Sequence, residues 1–155
     1  MRAIRWRTTS KQDTVRGALI DAGPLVAAFH ADDSKHAAVV AALKGVHGRL
    51  TTVWPALTEA HHLLRRCAPA QANQLLDAIA TGAIAVAELG AADMPEILAV
   101  MRKFADQDLQ LADAALVHVA ERDGYATLIT IDERDFRAVE AERRGRLRLL
   151  VPRSR

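Results

Sequence analysis

Cys67 is the only cysteine in this 155-residue chain, so neither a disulfide framework nor a cysteine-based zinc site can form within it. No apolar run approaches the roughly 18 residues that suggest a membrane-spanning helix. The first residues, "MRAIRWRTTSKQDTVR", are basic and polar and lack the apolar stretch of a secretory signal. Internal repeats and low-complexity segments are missing too. "DAGPLVAAF" has neither the glycines nor the lysine of a phosphate-cradling loop. Glu59 and His62 make one Glu-x-x-His step, half of a di-iron pattern whose second copy does not occur. These absences lead to the expectation of a globular, cytoplasmic protein with no membrane association.

Half of the residues are apolar and 26% are charged, an ordinary balance for one domain that buries a real core. The net charge is only +2, yet it is unevenly spread. Arg2, Arg5, Arg7, Lys11 and Arg16 crowd one end; Arg143, Arg144, Arg146, Arg148, Arg153 and Arg155 crowd the other. Two basic ends suit a polyanionic partner, although solvated surface is the plainer reading of charge alone. Regular patterning begins near Ala18, so residues 1–16 are expected to be a flexible basic leader and 17–155 the folded domain.

Short apolar runs alternate with helical segments. "ALID" (18–21), "RLTTV" (49–53), "AIAVAEL" (83–89), "ATLITI" and "LRLLV" read as strands. Between them lie "KHAAVVAALKG", capped by Ser34, then "ALTEAHHLLRR" behind Pro55 and "AQANQLLDAIATG" behind Pro69. "EILAVMRKFA" and "QLADAALVHVAERDG" follow. Strands separated by helices of this length pair in parallel through right-handed crossovers. The expected architecture is a three-layer α/β/α sandwich with a mostly parallel sheet of four or five strands. Such folds place their sites at the carboxyl ends of the strands.

Four acids occupy awkward positions in that scheme. Asp21 and Asp132 each end a strand. Asp113 lies on the apolar stripe of Leu109, Ala112, Leu116 and Ala120, and Glu59 falls one turn from Ala56 and Leu63. An ionised carboxylate facing a core is costly unless compensated. Each acid alone has a structural reading: a turn, a cap of the short helix in "DERDFRAV", or a pair with a distant arginine. If the four converge, their repulsion calls for a divalent cation, and hard oxygen donors favour Mg²⁺ or Mn²⁺ over zinc. Among other residues, Trp54 is expected to seal a core edge, Cys67 to pack as a small side chain, and Asp77 to be solvated.

"LIDAGPLVAAF", "LTEAHHLL", "MRKFADQDLQLADAALVHVAER" and "LITIDERDF" together resemble the PIN-domain family, and within it the toxin ribonucleases of VapC type. The resemblance runs from about Ala18 to Val151. It implies that Asp21, Glu59, Asp113 and Asp132 form an acidic, catalytic metal site for Mg²⁺ or Mn²⁺, with Thr130 as a nearby hydroxyl and Asp135 as a further acid. Gln110 departs from the pattern, since close relatives often carry an acid there. The resemblance also implies endonucleolytic cleavage of an RNA substrate, inhibition of translation, a homodimer and a cognate antitoxin that masks the site. A non-catalytic PIN-fold module that binds RNA or protein is the alternative; retention of all four acids weighs against it. Asp21 is followed by Ala22 and Gly23, which lacks the second aspartate of an aspartate-nucleophile phosphotransferase.

Overall fold

The computed structural model describes residues 17–142 and 147–152, apart from the side chain of Asp135. The basic leader with Trp6, five of the C-terminal arginines (Arg143, Arg144, Arg146, Arg153, Arg155) and the Asp135 carboxylate therefore lie outside the described residues.

Five strands form one sheet: β1 (Ala18–Ile20), β2 (Leu50–Thr52), β3 (Ala85–Val86), β4 (Thr127–Ile129) and β5 (Arg148–Leu150). Their order is β3-β2-β1-β4-β5, and every neighbouring pair is parallel. Among the described residues seven helices connect or flank them: α1 (Ala22–Phe29), α2 (His36–Lys44), α3 (Trp54–Cys67), α4 (Pro69–Ala80), α5 (Met94–Lys103), α6 (Leu111–Asp123) and α7 (Glu133–Glu142). The architecture is the expected α/β sandwich, with five strands and no antiparallel member among the described residues.

Successive strand residues point to opposite faces, yet Ala18, Leu19 and Ile20 of β1 are all buried. Both faces of the central strand are therefore covered, which is why its sequence is continuously apolar rather than alternating. The carbonyl of Ile20 takes a further bond from the Thr52 hydroxyl at 2.9 Å, tying β1 to β2 beyond the ladder. Gly17 opens β1 at φ +50°, and a Cβ there would collide with the Arg49 backbone. Only a residue without a side chain lets the two chains meet at this point.

Helix α6 is the most enclosed helix. Every residue from Ala112 to Ala120 is buried, His118 and Asp113 included. Its polar stripe is nearly missing, as befits a helix packed on several sides. It contacts α3, α5, α7 and β4.

Several local expectations are corrected. Helix α2 starts two residues after Ser34, with Lys35 at its N-cap position and no side-chain cap; Asp33 accepts the Lys35 N–H at 2.7 Å. The His36 N–H, which a serine cap at position 34 would have served, goes instead to the Asp33 carbonyl at 2.9 Å. The third strand shrinks to Ala85–Val86 at the sheet edge, where a single neighbour supports it. Trp54 is 56% exposed rather than sealing a core edge, because α3 buries Ala56, Leu57, Ala60 and Leu64 instead. Cys67, in the last turn of α3, is exposed rather than packed inside. Asp77 is solvated, as read.

Candidate active site

Asp21 is the first residue beyond β1 and the N-cap of α1. Its backbone N–H continues the ladder to the Ile129 carbonyl at 3.0 Å, so the sheet itself fixes where the side chain begins. Oδ1 accepts the Ala22 N–H at 2.6 Å, and Oδ2 accepts the Thr130 hydroxyl proton at 3.0 Å. The side chain is thus held at both oxygens. Thr130 is fully buried, and its Oγ1 also accepts the Asp132 N–H at 3.1 Å. One hydroxyl therefore connects the loop after β1 to the loop after β4.

The electrostatics are unfavourable for an anion. Burial pushes Asp21 up from 3.8 to about 6; the Ala22 and Thr130 hydrogen bonds lower it in part, and the nearby charges of Glu59 and Asp132 raise it again. Among the described residues neither Asp21 nor Glu59 has an ion-pair partner. A carboxylate that is desolvated and faces two other acids is poorly compensated.

Glu59 corrects one expectation. It is exposed, not inward-leaning, and so is Leu63, the residue one turn on. The buried face of α3 runs through Leu57, Ala60 and Leu64, at the i, i+3, i+7 spacing of one helix side. Glu59 is beside that face, near enough for its charge to act on Asp21. Asp132 is half-buried; its Oδ1 accepts the Arg134 N–H at 3.2 Å and lies 3.9 Å from the Arg134 guanidinium. It both caps the start of α7 and acts on Asp21.

Asp113 is buried in the first turn of α6, as its position on the apolar stripe led us to expect. Its Oδ2 accepts the Gln110 N–H at 2.9 Å, a capping bond that the sequence pattern did not suggest. Because α6 leads directly into β4 and crosses back against the strands, its first turn belongs to the carboxyl edge of the sheet. Asp21, Glu59, Asp132 and Thr130 are thus joined by bonds or by charge. Asp113 arrives at the same edge through topology and is anchored by its own helix. Among the described residues no three His, Cys, Asp or Glu side chains close into a ready-made ligand cluster.

The donor set is chemically suited to a hard divalent cation: carboxylate oxygens, no thiolate and no imidazole among the joined residues. The observation on Asp21 fits as well, since a cation at this edge would remove the cost that raises its pKa.

A second cluster, an ion-pair network around Asp93, went unread in the sequence. The Asp93 carboxylate accepts the Gly90 N–H at 2.8 Å, the His118 ring at 2.8 Å and Nη1 of Arg122 at 2.8 Å. Arg122 also grips Asp123 with two bonds, at 2.9 and 3.0 Å. The backbone bond, the imidazole and the guanidinium hold Asp93 well below the usual carboxylate range. The i, i+4 spacing of His118 and Arg122 was the available signal, but their acid lies 25 residues away from His118. A cavity of about 500 Å³ beside this cluster is lined by Trp54, Glu88, Leu89, Gly90, Asp93 and Arg122.

No protein-family model matches the chain. It is similar to ribonuclease VapC26 of Mycobacterium tuberculosis, with 30% identity over 133 residues, covering 85% of this chain and 98% of the relative. Among solved structures it is similar in fold to M. tuberculosis VapC20, a toxin that cleaves the sarcin–ricin loop (TM-score 0.72, 16% identity, 78% of this chain and 94% of the other). A toxin–antitoxin complex from Klebsiella pneumoniae is a further match (TM-score 0.66, 17% identity, 89% and 99%). So is VapBC2 of Rickettsia felis bound to a promoter DNA fragment (TM-score 0.53, 14% identity, 86% and 97%).

Proposed function

From the premise that this chain belongs to the VapC-type PIN toxin family, we propose that it is a Mg²⁺- or Mn²⁺-dependent endoribonuclease, the toxin of a toxin–antitoxin pair that inhibits translation. The observation that carries the reading is the buried Asp21 carboxylate, pushed up to about 6 with Glu59 and Asp132 as its charged neighbours.

Asp21, Glu59, Asp113 and Asp132 would hold the ion, directly or through water. When bound, it would lower the pKa of attacking water and offset charge on the phosphoryl oxygens. Asp21 supplies a carboxylate whose orientation is fixed at both oxygens before any ligand arrives, so little ordering remains to be done on binding. Thr130 keeps the two strand-end acids in register through one hydroxyl. Burial of Asp21 and Asp113 excludes water from the inner side of the edge. Glu59, exposed on α3, would be open to an incoming RNA. No described side chain is placed as a general base, so these residues bind and orient rather than shuttle protons. Arginines such as the exposed Arg148 would meet RNA phosphates in a salt-dependent manner. A homodimer and an antitoxin that covers the acidic edge complete the proposal; two of the similar solved structures are toxin–antitoxin complexes.

RNA cleavage with and without Mg²⁺, using Asp113→Asn as control, tests this reading. Cleavage that needs the metal and vanishes in the variant is the expected result. RNA binding without metal-dependent cleavage would make the chain a non-catalytic module instead. Full activity of Asp113→Asn would remove that residue from the site.

A further inference from the structure

Asp21 and Asp132 are carried by two loops that leave adjacent strands. Ile20 pairs with Ile129 in the β1–β4 ladder, and beyond it the loops must diverge enough to let α1 and α7 begin. At this point Gly23 and Ile131 lie against each other. A Cβ built on Gly23 would stand 2.6 Å from Cγ1 and 2.7 Å from Cδ1 of Ile131, well inside the roughly 3.5–4.0 Å of ordinary carbon contacts.

The glycine is not there for its backbone. Gly23 is absent from the positive-φ residues and occupies the first turn of α1, where alanine would be the better helix former. Nor can Ile131 easily give way. It packs on the core and lies between Thr130, which donates to Asp21, and Asp132, whose N–H is bonded to the same threonine hydroxyl.

We infer that Gly23 is a positioning residue: its missing side chain lets Ile131 seat against α1 and so sets the spacing between the Asp21 and Asp132 carboxylates for a shared divalent cation. This rests on the metal-dependent reading of the site. A methyl group at position 23 drives Ile131 outward, and Asp132, one residue on, moves with it away from Asp21.

The test uses the full-length chain with Gly23→Ala, Ile131→Ala and the double variant, which restores the space. Mn²⁺ affinity by titration calorimetry should fall roughly 10- to 100-fold in Gly23→Ala, the size seen when groups that orient metal ligands are lost. It should fall less in Ile131→Ala, where nothing is driven apart, and return in the double variant to the Ile131→Ala level. For RNA cleavage kcat should fall with KM little changed. Amide exchange at Asp132 gives a metal-independent readout; it should quicken in Gly23→Ala and slow again in the double variant. Wild-type Mn²⁺ affinity and unchanged Asp132 exchange in Gly23→Ala would overturn the inference, as would a double variant that recovers neither. Helix propensity acting alone would instead raise the melting temperature of Gly23→Ala with no loss of metal binding. A wild-type chain that binds no Mn²⁺ would refute the reading of the site, and exchange at Asp132 would then decide the spacing role alone.

Discussion

Asp21 and Asp93 each stand at the N-cap of a helix, yet their surroundings push them in opposite directions. Asp93 has a backbone N–H, an imidazole and a guanidinium on its two oxygens, and its pKa is depressed. Asp21 has a backbone N–H and a hydroxyl, but its charged neighbours are acids, and its pKa is raised. The difference separates two uses of a carboxylate. Asp93 clips the turn before α5 to α6, with its countercharge supplied by the protein. Asp21 is left short of positive charge at the edge where a ligand would bind.

The comparison can be broken most directly by exchanging each acid for its amide. Asp21→Asn should lower RNA cleavage by about 100-fold or more if the ion's several kcal/mol of transition-state stabilisation depends on it. The same variant should melt at a higher temperature than metal-free wild type at neutral pH. Asp93→Asn should do the reverse: lower the melting temperature and leave cleavage near wild type well below that temperature. Equal loss of cleavage in both would erase the distinction.

Stability against pH sharpens it. Folding raises Asp21 from 3.8 to about 6, so between those limits the folded state holds a proton that the unfolded chain has released. The stability this group contributes is present below about pH 4 and is lost as pH rises through 6, by about 3 kcal/mol in total. Denaturant unfolding of metal-free wild type, compared with Asp21→Asn, measures the difference. Asp93 acts with the opposite sign, contributing above the usual carboxylate range and losing that contribution on acidification. A flat difference curve for Asp21 would mean that its carboxylate is better solvated than its burial implies.

Thr130→Val tests the hydroxyl between the two loops. Loss of its bonds to Asp21 and Asp132 should cost about 1–2 kcal/mol and move the Asp21 titration further up, because the donated bond lowers it. The smallest effect belongs to the exposed Lys103–Glu142 pair. Lys103→Ala should change stability by less than about 1 kcal/mol, and a larger change would mean that α5 and α7 depend on each other more than an exposed pair allows.

How much of this was legible depended on whether the signal was local. The all-apolar "ALI" reported a strand buried on both faces, "TLI" a β-branched, largely buried one, and crossover length dictated parallel pairing. Asp113 stood out because an acid on an apolar stripe has a cost visible in the sequence. Glu59 was misplaced on the same logic: one turn from Ala56 and Leu63 looked inward, but the packed side of α3 is offset toward Leu57 and Leu64. A helix stripe with two possible centres cannot be resolved without knowing its neighbours. The Asp93 cluster and the Gly23–Ile131 contact were illegible for a different reason. Both join residues far apart in sequence: the i, i+4 spacing of His118 and Arg122 does not point to Asp93, and the Gly23–Ile131 contact leaves no periodic trace at all.

The long reach of the site has a bearing on how the protein is made. The bond from Thr130 to Asp21 spans 109 residues, and β4 is the partner that completes one side of the central strand. A nascent chain that has not yet emerged as far as β4 has Asp21 but nothing to set it against. The acidic edge is therefore assembled late in synthesis, and a chain cut short before that point carries the first carboxylate without the arrangement that gives it meaning.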